Sequence, residues 1–100
     1  MKVTKGSGDV FADLGFSQGQ GRNLRMRSQL MTALRGFIEK KGLTQAEAAK
    51  RLRVTQPRIS DLMRGKLSRF SLDTLVNMST DAGLEVDLRI TAKSVSRRVA

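Results

Sequence analysis

Four side chains in the middle of this chain have the chemistry to read a DNA base. The Gln56 amide offers a donor and an acceptor together, the pairing that adenine presents in the major groove. Arg58 carries a planar fork that fits guanine. Pro57 presents apolar surface to a thymine methyl group. Asp61 either accepts from a cytosine amino group or orients Arg58 or Arg64; both readings stay open. Basic residues surround these positions. Between Lys50 and Arg69 the chain has seven of them (Lys50, Arg51, Arg53, Arg58, Arg64, Lys66 and Arg69) against one acid, Asp61. Such a cluster gains affinity for a duplex by releasing counterions condensed on its phosphates. A charge run is often only a solvated face, but this one brackets a pair of short helices.

Those helices are what must aim the side chains. Thr44 and Glu47 have the spacing of a capping box, which starts a helix running to Leu52. Ala46, Ala48 and Ala49 keep that helix slim, so a neighbour can pack closely. Arg53-Val54 is the turn, with Val54 expected to point inward. Thr55 is placed to cap the next helix, which runs to about Met63 and is ended by Gly65. Pro57 falls at its second position, where the missing N–H costs no intrahelical bond. Ile59 and Leu62 form the inward face. Gln45 opens the first helix of the pair, where its side chain and nearby amides can clasp a phosphate. Thr55, Ser60, Arg64, Lys66 and Arg69 are the other expected phosphate contacts.

The rest of the chain reads as scaffold. Asn23 to Lys41 is a long helix with Leu30, Leu34, Phe37 and Ile38 repeating at three- and four-residue spacing, Met31 beside them. Lys40 and Lys41 suit its last turn, and Gly42 ends it. After a loop from Lys66 to Phe70, Ser71 caps a helix over Leu72 to Ala82 with Leu72, Leu75, Val76 and Ser79 on one stripe. Gly83 stops it. The period then changes to two: Leu84, Val86, Leu88 and Ile90 alternate with Glu85, Asp87 and Arg89. That alternation predicts a strand, which needs a mate from a second subunit or another protein. Val86, Leu88 and Ile90 are therefore candidate dimer residues. Residues 1–22 read as a flexible, glycine-rich arm, residues 23–90 as the helix-turn-helix domain with its terminal strand, and residues 91–100 as a basic tail. Within the arm, Val10, Phe11, Leu14 and Phe16 form an apolar island. It either tucks into a groove of the domain or binds a partner.

Composition excludes several classes. The 100 residues suit one small domain whose core is marginal, which favours oligomerisation. The formal charge of +10 selects polyanions, either nucleic acid or an acidic membrane surface. Cysteine and histidine are both absent, so there is no disulfide, no thiolate zinc site and no imidazole base. The acids Asp9, Asp13, Glu39, Glu47, Asp61, Asp73, Asp81, Glu85 and Asp87 are scattered. A metal-dependent nuclease needs them gathered, so neither enzyme activity, cofactor nor metal is expected. The four aromatics are all phenylalanine and do not interleave with the basic cluster as base stacking on RNA requires. No apolar run approaches a membrane span and no signal peptide opens the chain, so a cytoplasmic protein is expected.

Gln45, Ala49, Val54 and Ile59 match, in order and spacing, the phage-repressor class of helix-turn-helix proteins. The chain resembles that XRE, or Cro/C1, family. The resemblance implies a mostly α fold: a lambda-repressor-like bundle of about four to five helices, here with a C-terminal β-strand. It also implies base reading by Gln56, Pro57, Arg58 and Asp61, with Gln45 and Lys66 on phosphates. One departure stands out, since the family usually has glycine in the turn where this chain has Arg53. The segments Gly8–Gly15, Gly42–Ala49, Thr55–Leu62 and Gly83–Val86 together resemble a HigA-type antitoxin. That resemblance implies a homodimeric repressor of its own operon, and the mate-seeking terminal strand with the small core predicts a two-fold dimer on a palindromic operator. By the resemblance the protein also silences a RelE-fold (HigB-type) toxin, for which the Val10–Phe16 island is a candidate grip. The alternative is a phage-type regulator of the same class with no toxin.

Overall fold

The computed structural model describes residues 18–92. Helix α1 spans Gln18–Lys41, α2 Gln45–Leu52, α3 Gln56–Met63 and α4 Leu72–Asp81, with a 3-10 turn at Leu67–Arg69 between the last two. Each helix starts or stops where local chemistry requires. At α2 the Thr44 hydroxyl accepts from the Glu47 amide at 3.1 Å and the Glu47 carboxylate accepts from the Thr44 amide at 2.8 Å. At α4 the Ser71 hydroxyl accepts from the Thr74 amide at 3.1 Å. Thr55 occupies the cap position of α3, but its side chain makes no capping bond, so its hydroxyl is not committed to the helix start.

The four described helices end in a similar way. A residue one or two positions past the helix turns left-handed, and amides reach back to satisfy the last carbonyls. Leu43 donates to Ile38, Val54 to Ala49, Lys66 to Asp61 and Leu84 to Ser79, at 2.9–3.1 Å. The left-handed residue is Gly42, Gly65 or Gly83 in three cases and Arg53 in the fourth, with φ of 59°.

One core joins the elements. Met31, Leu34 and Ile38 of α1 are buried with Ala48, Ala49 and Leu52 of α2, Ile59 and Leu62 of α3, Phe70 after the 3-10 turn, and Leu75, Met78 and Ala82 around α4. Leu30, Phe37 and Val54 pack against it from partly buried positions. Ser79 is the buried polar residue of the core and is satisfied by donating to the Leu75 carbonyl at 2.8 Å. The alanines of α2 let α3 approach, which fixes the angle of the helix-turn-helix pair.

Two expectations need correction. The first is the arm boundary. Helix α1 begins at Gln18, so residues 18–22 belong to it and not to an arm ending at residue 22. Once a helix is nucleated, each further residue adds a hydrogen bond, and glycine opposes this by only about 1 kcal/mol. Gly19 and Gly21 therefore do not stop it. The second is the terminal strand. Among the described residues there is no strand, and Leu84 to Ala92 has no regular structure. The described elements around it are helices, whose backbone groups are already paired, so this segment finds no ladder partner among the described residues. Leu84 packs against the core, but the later apolar side chains remain outside: Val86 is 41% exposed, Leu88 73% and Ile90 83%. The apolar island of Val10, Phe11, Leu14 and Phe16 and the tail beyond Ala92 lie outside the described residues.

Candidate nucleic-acid interface

Helix α3 carries the candidate base readers, and they divide into two sets. Gln56 and Pro57 stand exposed in its first turn, as Gln45 does in the first turn of α2. Thr55 and Arg64, at the two ends of α3, are exposed too, while Ser60 and Lys66 are half-buried. Arg58 and Asp61 differ, because both are engaged with the turn that follows the helix.

The Arg58 guanidinium lies over the Phe70 ring, 4.7 Å from its centroid, and its Nη1 donates to the Arg69 carbonyl at 2.9 Å. Asp61 accepts from Arg69 Nη1 at 3.3 Å. The acid therefore orients Arg69, not Arg58 or Arg64 as its position suggested. The pair is open to solvent on the arginine side, 57% exposed, so its worth to stability is about 0–1 kcal/mol. From α1, Arg27 Nη1 donates to the carbonyls of Leu67 at 3.2 Å and Phe70 at 3.1 Å, while its Nε donates to Asn23 at 2.6 Å. Thus Arg58, Asp61 and Arg69 form one cluster around the 3-10 turn, and Gln45, Gln56 and Pro57 stay outside it.

Magnitudes weigh on the role of Arg58. Leaving its perch forfeits a cation–π contact of about 0.5–2 kcal/mol and a charge-assisted hydrogen bond of about 1.5–3 kcal/mol. A bidentate pair with guanine returns about 1–3 kcal/mol of discrimination. The combined loss is larger than the return at both ends of these ranges, so nothing drives the side chain toward a base. Gln56 carries no comparable commitment.

Sequence reasoning missed Arg27 and Phe70. Arg27 lies on a helix read purely as scaffold, 40 and 43 positions from its partners. Phe70 directly follows Arg69, and that adjacency was the available signal of an aromatic beside the basic cluster. It is 1% exposed, so it serves as a platform for Arg58 and not as a stacking surface for bases. A second cationic perch surrounds Phe37, with Lys41 at 5.9 Å and Arg51 at 5.3 Å from the ring centroid.

Behind this face, α1, α4 and the terminal segment bound a groove of about 610 Å³ lined by Met26, Leu30, Val76, Leu84, Val86 and Leu88 among others. Among the described residues, no His, Cys, Asp or Glu side chains gather as a metal site would require, and no helix is long and apolar enough to cross a membrane.

A capped first helix, a tight left-handed turn, a second helix with proline in its first turn and a clustered cationic edge make up a helix-turn-helix. A family model of the helix-turn-helix domain matches residues 10–91. A solved structure described as an XRE-family transcriptional regulator is 33% identical, with a TM-score of 0.69, covering 78% of this chain and 88% of that one. No curated protein matches. The chain belongs to the helix-turn-helix family, of the XRE type, and its fold is that of a DNA-binding regulator.

Proposed function

We propose that this protein is a sequence-specific repressor that binds double-stranded DNA as a homodimer on a palindromic operator. The observation that carries this reading is the arrangement of α3. Gln56 and Pro57 are exposed at its start, and the cationic turn of Lys66 and Arg69 follows its end. A recognition helix uses its first turn on base edges and its flanks on phosphates. The homodimer is supported by the other side of the molecule. Val86, Leu88 and Ile90 are exposed on a segment without regular structure that borders an apolar groove, and a second copy would cover these side chains. Such a dimer places two α3 helices about one helical turn apart on the duplex. The workplace implied by this function is the cytoplasm.

The finer reading is an antitoxin that represses its own operon and neutralises a RelE-fold toxin. Its support is the resemblance of the Gly42–Ala49, Thr55–Leu62 and Gly83–Val86 segments to HigA-type proteins. A stand-alone XRE regulator shares the DNA-binding features and lacks the partner. Footprinting on DNA upstream of its own gene tests repression. Protection of a two-fold symmetric site is expected, and no protected site even at low salt refutes the reading. Coexpression with the product of the adjacent reading frame separates the two finer forms. A stable complex that abolishes that product's ribonuclease activity marks the antitoxin, and no complex leaves the stand-alone regulator.

A further inference from the structure

The turn between α3 and α4 is held from outside by arginines on two different helices. Its three residues make few bonds of their own: Leu67 donates to Gly65 at 2.8 Å, Arg69 to Lys66 at 3.0 Å, and Phe70 to Leu67 at 3.1 Å. The carbonyls of Leu67, Arg69 and Phe70 are then each met by a guanidinium, from Arg27 on α1 or Arg58 on α3. Phe70 is the pivot: buried in the core, it carries Arg58 on its face and offers its carbonyl to Arg27. Asp61 completes the frame by holding the Arg69 side chain.

We propose that Arg58 and Arg27 are positioning residues that set the Lys66–Phe70 turn for a DNA phosphate, and that Arg58 does not read a base. This rests on the DNA-binding reading above. The physical reasons are two. A short 3-10 turn has poor internal hydrogen bonding and holds its shape weakly without outside support. Carbonyl oxygens facing a phosphate repel it, and two guanidiniums that occupy those oxygens remove the repulsion while adding positive charge behind the turn. Lys66, Ser68 and Arg69 are then presented to the backbone of the duplex already in place. Base reading falls to Gln56, Pro57 and the exposed start of α3.

Selection from a randomised duplex library tests this with the full chain, Arg58→Gln and Arg27→Gln. Each protein is then titrated on the wild-type consensus duplex and on a scrambled duplex across a range of salt. The expected result is the same consensus from all three proteins. Both variants should lose affinity for the two duplexes alike, roughly three- to tenfold, with a salt slope shallower by about one to two units. Partial unfolding lowers the active fraction without changing that slope, so the slope separates positioning from loss of fold. If Arg58→Gln does not fold, Phe70→Leu takes its place, since it removes the ring beneath Arg58 and keeps apolar volume. A changed base at one position of each half-site in Arg58→Gln, with Arg27→Gln unchanged, overturns the proposal. Unaltered affinity and slope in both variants overturn it as well. Failure of the wild-type chain to enrich any sequence removes the DNA-binding reading itself, and this inference falls with it.

Discussion

The two sides of this molecule are finished to different degrees. On the α3 side the polar groups of the turn have partners before any ligand arrives: the carbonyls of Leu67, Arg69 and Phe70 are taken by arginines, and Asp61 is taken by Arg69. After α4, the segment from Val86 to Ile90 has neither a ladder nor a covering layer among the described residues, and Ile90 is 83% exposed. A face that is already ordered loses little conformational freedom when it binds. An extended apolar edge is stable only when something completes it. The cationic side thus suits a ligand of fixed shape such as a duplex, and the apolar segment suits the second copy proposed above.

The largest effect should come from breaking the unfinished side. Leu88→Lys combined with Ile90→Lys places charges where a second chain would pack. The substitutions touch no buried core residue, so the monomer should melt at its usual temperature. Affinity for a duplex with two half-sites should fall by about a hundredfold or more, because linked binding sites gain that much by effective concentration. Affinity for a single half-site should stay the same. Sedimentation would show the shift from dimer to monomer. If the double variant remains dimeric, the dimer surface lies elsewhere.

A smaller effect is expected from the finished side. Lys66→Ala removes one candidate phosphate contact and leaves the arginine frame standing. Binding should weaken on every sequence to the same degree, and the slope of log affinity against log salt should fall by about 0.9. Titrations at four or five salt concentrations would measure it. A sequence-dependent loss would instead place Lys66 against a base.

How far the sequence revealed this comparison depends on how local each feature is. The capping box of Thr44 and Glu47 and the stops at Gly42, Gly65 and Gly83 are set by residues within a turn of one another, and they were readable. The apolar repeat of Leu30, Leu34, Phe37 and Ile38, with Met31 beside it, was readable too, although Met31, Leu34 and Ile38 are buried and Leu30 and Phe37 only partly so. The destination of Arg58 was not, because it depends on where the chain brings Phe70 after an irregular turn. Arg27 was hidden for the same reason at longer range. The alternating run to Ile90 predicted a strand that the described residues do not form. A strand needs a paired ladder, and the periodicity of one segment says nothing of whether a mate is at hand. The start of α1 was misplaced because glycine is a weak stop inside a helix whose later turns are strong.

The smallest predicted effect isolates the one helix end that breaks the pattern. Gly42, Gly65 and Gly83 adopt left-handed backbone freely, whereas Arg53 does so with φ of 59° and ψ of 42°. For a residue with a Cβ that geometry costs about 1–2 kcal/mol. Glycine removes the strain but adds freedom to the unfolded chain, which offsets part of the gain. Arg53→Gly should therefore stabilise the fold by up to about 1 kcal/mol, raising the melting temperature by up to about 4–8 °C. Arg53→Ala keeps the strain and loses the charge, so it should melt at or near the wild-type temperature. Both variants should shallow the salt slope equally if the Arg53 charge serves DNA, since backbone strain has no part in counterion release. Melting of Arg53→Gly no higher than Arg53→Ala would mean that the turn is not strained. A full salt slope in both variants would mean that this cation, unlike those of the α3 turn, lies away from the duplex.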